Sequence, residues 1–304
     1  SQLAQQQSII DMRVRSALAV PLFAEEDVLG LLYADRADAT RRFDRDDLGV
    51  LTVLGSLIAM ALNQARLRDL QREQERLQLE MNAAREVMAS ILQPDLPAVE
   101  GCELVHLLEP CDEVGGDFYD VHLQPDGRVG LVLGDVSGHG LGAAFLVALI
   151  VPALRMLLDD HDDPVDVMHH INRHLFLATD FHKFATLFLG VYEPRTGELN
   201  YVNAGHVPPF HVRGSLAPGQ LEPGGPPVGM LEDFEYGAGT LHLGEGESLV
   251  MITDGVTECL GPGDEMYGEE RLLGCLRRSS DLPAVAVRDC LRSALADFQC
   301  EVEP

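Results

Sequence analysis

No Lys/Arg-rich run occurs anywhere in the 304 residues, and acidic side chains outnumber basic ones 49 to 22, for a formal charge of −27. Such a surface repels phosphate backbones and anionic headgroups, which argues against nucleic acid and membrane surfaces as partners. A C-x-x-C pair is also missing: Cys102, Cys111, Cys259, Cys275, Cys290 and Cys300 are scattered. That spacing suggests neither a zinc knuckle nor a disulfide framework and fits reduced thiols. No apolar run reaches the length of about 18 residues that a membrane span needs. The first residues lack the charged-then-apolar pattern of a signal peptide. Together these absences predict a soluble, cytoplasmic chain. Internal repeats and low-complexity tracts are absent as well.

What is present is enough apolar sequence, 46%, for two domains with cores of their own. Residues 17–23 and 28–33 read as two strands joined by the turn Ala24-Glu25-Glu26-Asp27, a hairpin. From Leu48 apolar residues recur at helical spacing through Leu51, Leu54, Leu57, Ile58, Ala61 and Leu62. A heptad follows, with Leu67, Gln74, Met81 and Met88 on one row and Asn63, Leu70, Leu77, Ala84 and Ile91 on the other. Charges fill the positions between, leaving a narrow seam that a parallel coiled-coil dimer would bury; a single helix lying along its own domain is the alternative. Gln93-Pro94-Asp95-Leu96-Pro97 stops the helix.

Strands are expected over 102–108, 117–123 and 128–133, then helices over 141–158 and 165–179. Further strands follow near 184–192, 199–203, 239–243 and 248–253, and helices over 269–278 and 284–298. Because strands and helices are grouped rather than alternating, the fold class is α+β.

Three aspartates border strands beside glycine: Asp117 in Val114-Gly115-Gly116-Asp117, Asp135 in Leu133-Gly134-Asp135 and Asp254 in Thr253-Asp254-Gly255. An Asp-Gly pair by itself is an ordinary turn. Three at strand ends put carboxylates on one sheet edge, where hard divalent ions such as magnesium and manganese find oxygen ligands and keep several waters. Two such ions lower the pKa of bound water and clamp the attacking and leaving oxygens of a phosphate ester.

The segment Gly134-Asp135-Val136-Ser137-Gly138-His139-Gly140, followed by Ala143-Ala144, closely resembles the signature of bacterial PPM-type serine phosphatases of the SpoIIE/RsbU-like group. Residues 114–120, Phe184-Ala185-Thr186-Leu187, Asn203-Ala204-Gly205-His206-Val207-Pro208-Pro209 and Thr253-Asp254-Gly255-Val256-Thr257-Glu258 resemble that family in the same order, so the likeness spans residues 85–298. It implies an αββα sandwich with two Mn2+ or Mg2+ ions at one end. Asp135 would bridge both ions, Asp117 and the backbone carbonyl of Val136 would hold one, and Asp254 the other. His139 is the candidate proton donor to the leaving oxygen, with loop packing as its alternative, and His206 is expected to support the structure.

Residues 16–67, with Val20-Pro21-Leu22 and Gly30-Leu31-Leu32-Tyr33, resemble the last third of a GAF sensor domain. The division implied is 1–65 for that GAF part, 66–97 for a coiled-coil linker helix and 98–304 for the phosphatase. The implied activity is hydrolysis of phosphoserine or phosphothreonine on a regulatory protein, such as an anti-sigma-factor antagonist, by attack of a metal-bound hydroxide. A homodimer through the linker helix is expected.

Family members end on an Asp-Asp-x-Thr strand with a further ligand, whereas this sequence ends at Glu301-Val302-Glu303-Pro304. That departure keeps open a second reading, a partner-binding module with impaired catalysis. A third, a nucleotide-binding oxidoreductase, rests on Gly138-His139-Gly140-Leu141-Gly142, whose spacing is not G-x-G-x-x-G.

Overall fold

The computed structural model describes residues 14–24, 27–37, 42–91, 96–109, 115–138, 140–178, 183–214, 216–222 and 224–300, without the side chains of 84–91, 141 and 300. Two compact units divide the chain, residues 1–80 and 81–304.

In the first unit, β1 (Ser16–Ala24) pairs antiparallel with β2 (Asp27–Arg36), with Val20 opposite Leu32. The expected hairpin is there; Glu25 and Glu26 of its turn lie outside the described residues. Helix α1 (Arg45–Ile91) opens on a capping box, in which the Asp47 amide donates to Asp44 Oδ1 at 2.9 Å and the Asp44 amide to Asp47 Oδ2 at 3.1 Å. Gly55 lets the helix close onto the hairpin, since a Cβ there would lie 3.1 Å from Val20 Cγ2. Val20, Leu22 and Ala59 are buried, while Leu67, Leu70 and Leu77 of the heptad are more than half exposed in this single chain.

In the second unit, β3 (Asp117–Leu123), β4 (Val129–Val136), β5 (Ala185–Glu193), β6 (Glu198–Ala204) and β9 (Gly239–His242) form one sheet in the order β3-β4-β5-β6-β9. Every pairing in it is antiparallel. A second sheet has the order β10-β7-β8, from β7 (Phe210–Val212), β8 (Gly219–Gln220) and β10 (Ser248–Val250).

Alternation along the strands sorts their side chains into layers. Val132, Val136, Leu187, Leu189 and Val202 join α2 (Leu141–Asp160) and α3 (Pro164–Ala178) in one apolar cluster. On the opposite face Val129, Leu131, Phe188 and Tyr201 meet Leu249 of the second sheet and Leu221 and Met251, which follow its strands β8 and β10. Phe210, Val212 and Ile252 then pack against α5 (Gly268–Arg278) and α6 (Ala284–Cys300). Helices, sheet, sheet, helices is the αββα order expected. The short α4 (Asp254–Thr257) follows the second sheet.

Three expectations change. Residues 102–109 form no strand; their side chains lie over the large sheet, with His106 stacked on Tyr119 at 4.8 Å, and no backbone ladder forms. The antiparallel sheet removes the parallel crossover on which a dinucleotide fingerprint depends, so the oxidoreductase reading falls. Two helical stretches, Arg45–Ala83 and Gly142–Asp160, are long and apolar enough by composition to cross a bilayer, contrary to the expectation of none. Single polar residues such as Thr52 and Arg155 interrupt the apolar runs without removing that character. In the second stretch Val147, Ile150, Val151, Leu154 and Leu158 are core residues.

Candidate metal centre

The register of β3 against β4 sets Asp117 directly opposite Asp135. Both share the parity of Val121, Val129 and Leu131, the face turned toward the second sheet. Gly116 lets the two strands draw together beyond that pair. The Val136 amide donates to the Gly116 carbonyl at 3.1 Å, and a Cβ on Gly116 would sit 2.4 Å from the Val136 carbonyl oxygen and 2.8 Å from Asp135 Oδ1. A methyl group there would displace either the carbonyl or the carboxylate.

Thr253, arriving from the second sheet, donates its hydroxyl to Asp117 Oδ2 at 3.0 Å across 136 residues of sequence. Asp254 is exposed and opens α4, and its carbonyl accepts from the Glu258 amide at 2.8 Å. The carboxylates feel one another. Burial, then the charges of Asp117 and Asp254, push the Asp135 carboxyl up to about 6. Burial also raises Asp117; the Thr253 hydroxyl opposes that rise, and the Asp254 charge adds to it.

Among the described residues no three His, Cys, Asp or Glu side chains converge as ready ligands of a single ion. The arrangement instead offers hard oxygens from three carboxylates and the Val136 carbonyl, spread along the edge. Such a donor set suits magnesium or manganese, which take one or two carboxylates and keep several waters. Like charges held together with raised pKa values are what a bound cation would relieve.

His139 lies outside the described residues. Its neighbours Gly138 and Gly140 both take left-handed backbone, with φ of 95° and 75°. His206 is almost wholly buried and structural in its contacts: Nδ1 is 2.8 Å from Thr186 Oγ1, its amide donates to Asn203 Oδ1 at 2.8 Å, and its carbonyl accepts from Asn203 Nδ2 at 3.1 Å. Nε2 makes no hydrogen bond of normal geometry. Burial drives the ring down to about 4, against smaller opposing effects of the Ile252 backbone and Asp254.

Sequence reasoning missed two groups. Thr253 was seen only as part of a motif, and its bond to Asp117 needs the fold. The other is Lys183, the single lysine of the chain, whose Nζ lies 3.5 Å from the Ser137 carbonyl beside Gly138 and Gly142. The lone lysine in the composition was a signal available for it.

Comparison with known proteins bears on the family and the fold. Residues 125–303 match the family model of Stage II sporulation protein E (SpoIIE), and residues 2–62 match the GAF domain model. Protein IcfG of Synechocystis sp. is 31% identical over 65% of this chain and 36% of its own length. Phosphoserine phosphatase RsbU of Bacillus subtilis is 29% identical over 61% of this chain and 56% of its own. The chain therefore spans less than two thirds of either relative. The SiaA-PP2C domain of Pseudomonas aeruginosa superposes with a TM-score of 0.64, covering 75% of this chain and 93% of that one at 21% identity, a likeness of fold.

Proposed function

The chain belongs to the SpoIIE family of PPM-type serine phosphatases and carries part of a GAF domain, and from that premise we propose that residues 98–304 hydrolyse phosphoserine or phosphothreonine on a regulatory protein. An anti-sigma-factor antagonist is the substrate class we favour, and the cytoplasm the place. In this reading residues 1–65 are the GAF part and 66–97 the linker helix of a homodimer. A formal charge of −27 does not favour nucleic acid as a partner.

Asp135, Asp117, Asp254 and the Val136 carbonyl are the groups that would hold two ions, Mn2+ or Mg2+: Asp135 would be shared by both, Asp117 and the carbonyl would serve one, and Asp254 the other. When bound, such ions would activate water and neutralise the phosphoryl charge. The protein's own part is positional. Thr253 fixes the Asp117 carboxylate, Gly116 keeps the Val136 carbonyl and Asp135 close, and His139, outside the described residues, is the proposed proton donor to the leaving oxygen. The observation that carries this reading is the facing pair Asp117 and Asp135, joined by Thr253 to the segment bearing Asp254.

The test is hydrolysis of p-nitrophenyl phosphate and of a phosphoserine peptide with added Mn2+, for the wild type, Asp135→Asn and Asp254→Asn. Metal-dependent turnover lost in both variants is expected. No turnover by the wild type at millimolar metal would favour the partner-binding module instead, a reading supported by the lack of three convergent ligands for one ion among the described residues.

A further inference from the structure

The two C-terminal helices meet across a pair of thiols. Cys275 on α5 and Cys290 on α6 stand with their Sγ atoms 3.9 Å apart. Cys275 is fully buried and Cys290 half-buried, so Cys290 is the member of the pair nearer solvent. They belong to the apolar cluster that packs α5 and α6 onto Val250, Ile252 and Val256, residues on both sides of Asp254.

We propose that Cys275 and Cys290 are an oxidation site that closes to an intramolecular disulfide with low-molecular-weight disulfides, tying α5 to α6 behind the Asp254 segment. Closure asks the sulfurs to approach by about 2 Å, to a bond of roughly 2.05 Å. Rotation of two cysteine side chains on neighbouring helices is the motion available. Cys290, the less buried of the two, reacts first. As a thiolate it attacks one sulfur of the reagent, releasing one reagent thiolate and leaving a mixed disulfide. The Cys275 sulfur, after losing its proton to solvent, then attacks the Cys290 sulfur and expels the second reagent thiolate. Two protein thiols are oxidised, one reagent disulfide is reduced and two protons are released. Burial, then the adjacent thiol, pushes Cys275 up to about 11, which makes the second step the slow one and protects the pair from casual oxidation.

Unlike the aspartate reading, this inference needs no metal and no turnover. Reduced full-length chain is incubated with glutathione disulfide, its remaining thiols are alkylated, and its peptides are mapped by mass spectrometry alongside Cys275→Ala and Cys290→Ala. The expected product is a peptide linking 275 to 290, lost on reduction with dithiothreitol and accompanied by a rise of several degrees in Tm. In Cys275→Ala, Cys290 should stay as its glutathione mixed disulfide. Alkylation of both thiols after oxidation, a mixed disulfide at Cys290 that persists in the wild type, or a linkage of Cys290 to Cys259 or Cys300 would each overturn the proposal.

Discussion

Thr253 touches no substrate in the proposed reaction, yet from the segment after β10 it makes the described hydrogen bond that holds Asp117, an acid of the proposed metal edge. Groups that orient a ligating carboxylate typically matter by 10–100-fold in metal affinity. Thr253→Val should therefore weaken Mn2+ binding by roughly tenfold or more, read by calorimetric titration, while leaving the metal-free Tm nearly unchanged. His206 gives a pH signature. Its folded pKa, about 4, lies below the ordinary value near 6.5. Between those values the unfolded chain holds a proton that the native ring refuses, so stability rises with pH across the window and is lost as pH falls from about 6.5 toward 4. The loss can reach about 3 kcal/mol. Asp135, held up at about 6, contributes with the opposite sign in the same window, so urea unfolding of the metal-free protein at pH 7, 5.5 and 4.5 should show the His206 part as the wild type losing more stability than His206→Gln as pH falls.

Single elements reveal what a linear reading can and cannot find. Strands β4 and β5 were legible because Leu131-Val132-Leu133 and Leu187-Phe188-Leu189 are apolar on both faces and are bounded by turn residues, as befits strands covered by two layers. The 102–108 segment carries a similar apolar pattern, but Leu107 and Leu108 stay 40% exposed and no strand pairs with it. Apolar pattern alone cannot report a missing ladder. Strands β7 and β8 went unseen for the opposite reason: at three and two residues they are too short to show a period. The aspartates of the edge were legible through their glycines and the family motif, whereas their pairing partners were not. Asp120, on β3 and 1% exposed, receives two bonds of 2.8 Å from Arg155 on α2. This contact across 35 residues leaves no local trace. Arg155→Leu would strand a buried charge and should cost about 3 kcal/mol by chemical denaturation. Adding Asp120→Asn should recover much of that loss.

For the molecule as a whole, α1 carries leucines 67, 70 and 77 into solvent at heptad spacing, a seam that a lone helix in water leaves unburied. If the proposed homodimer uses it, Leu70→Asp together with Leu77→Asp should yield monomers in sedimentation velocity; an unchanged dimer would reject the seam. The second unit has a different whole-molecule property. Its acids are contributed by two separate sheets, Asp117 and Asp135 by one and Asp254 by the segment after the other. The layer of Leu131, Phe188, Leu221 and Met251 between the sheets therefore acts as a spacer, and the edge works as a caliper whose jaws are set by core volume. If the edge holds the proposed ions, trimming a spacer side chain far from any carboxylate should alter the jaw opening, and ion affinity would then gauge how tightly the interior is filled.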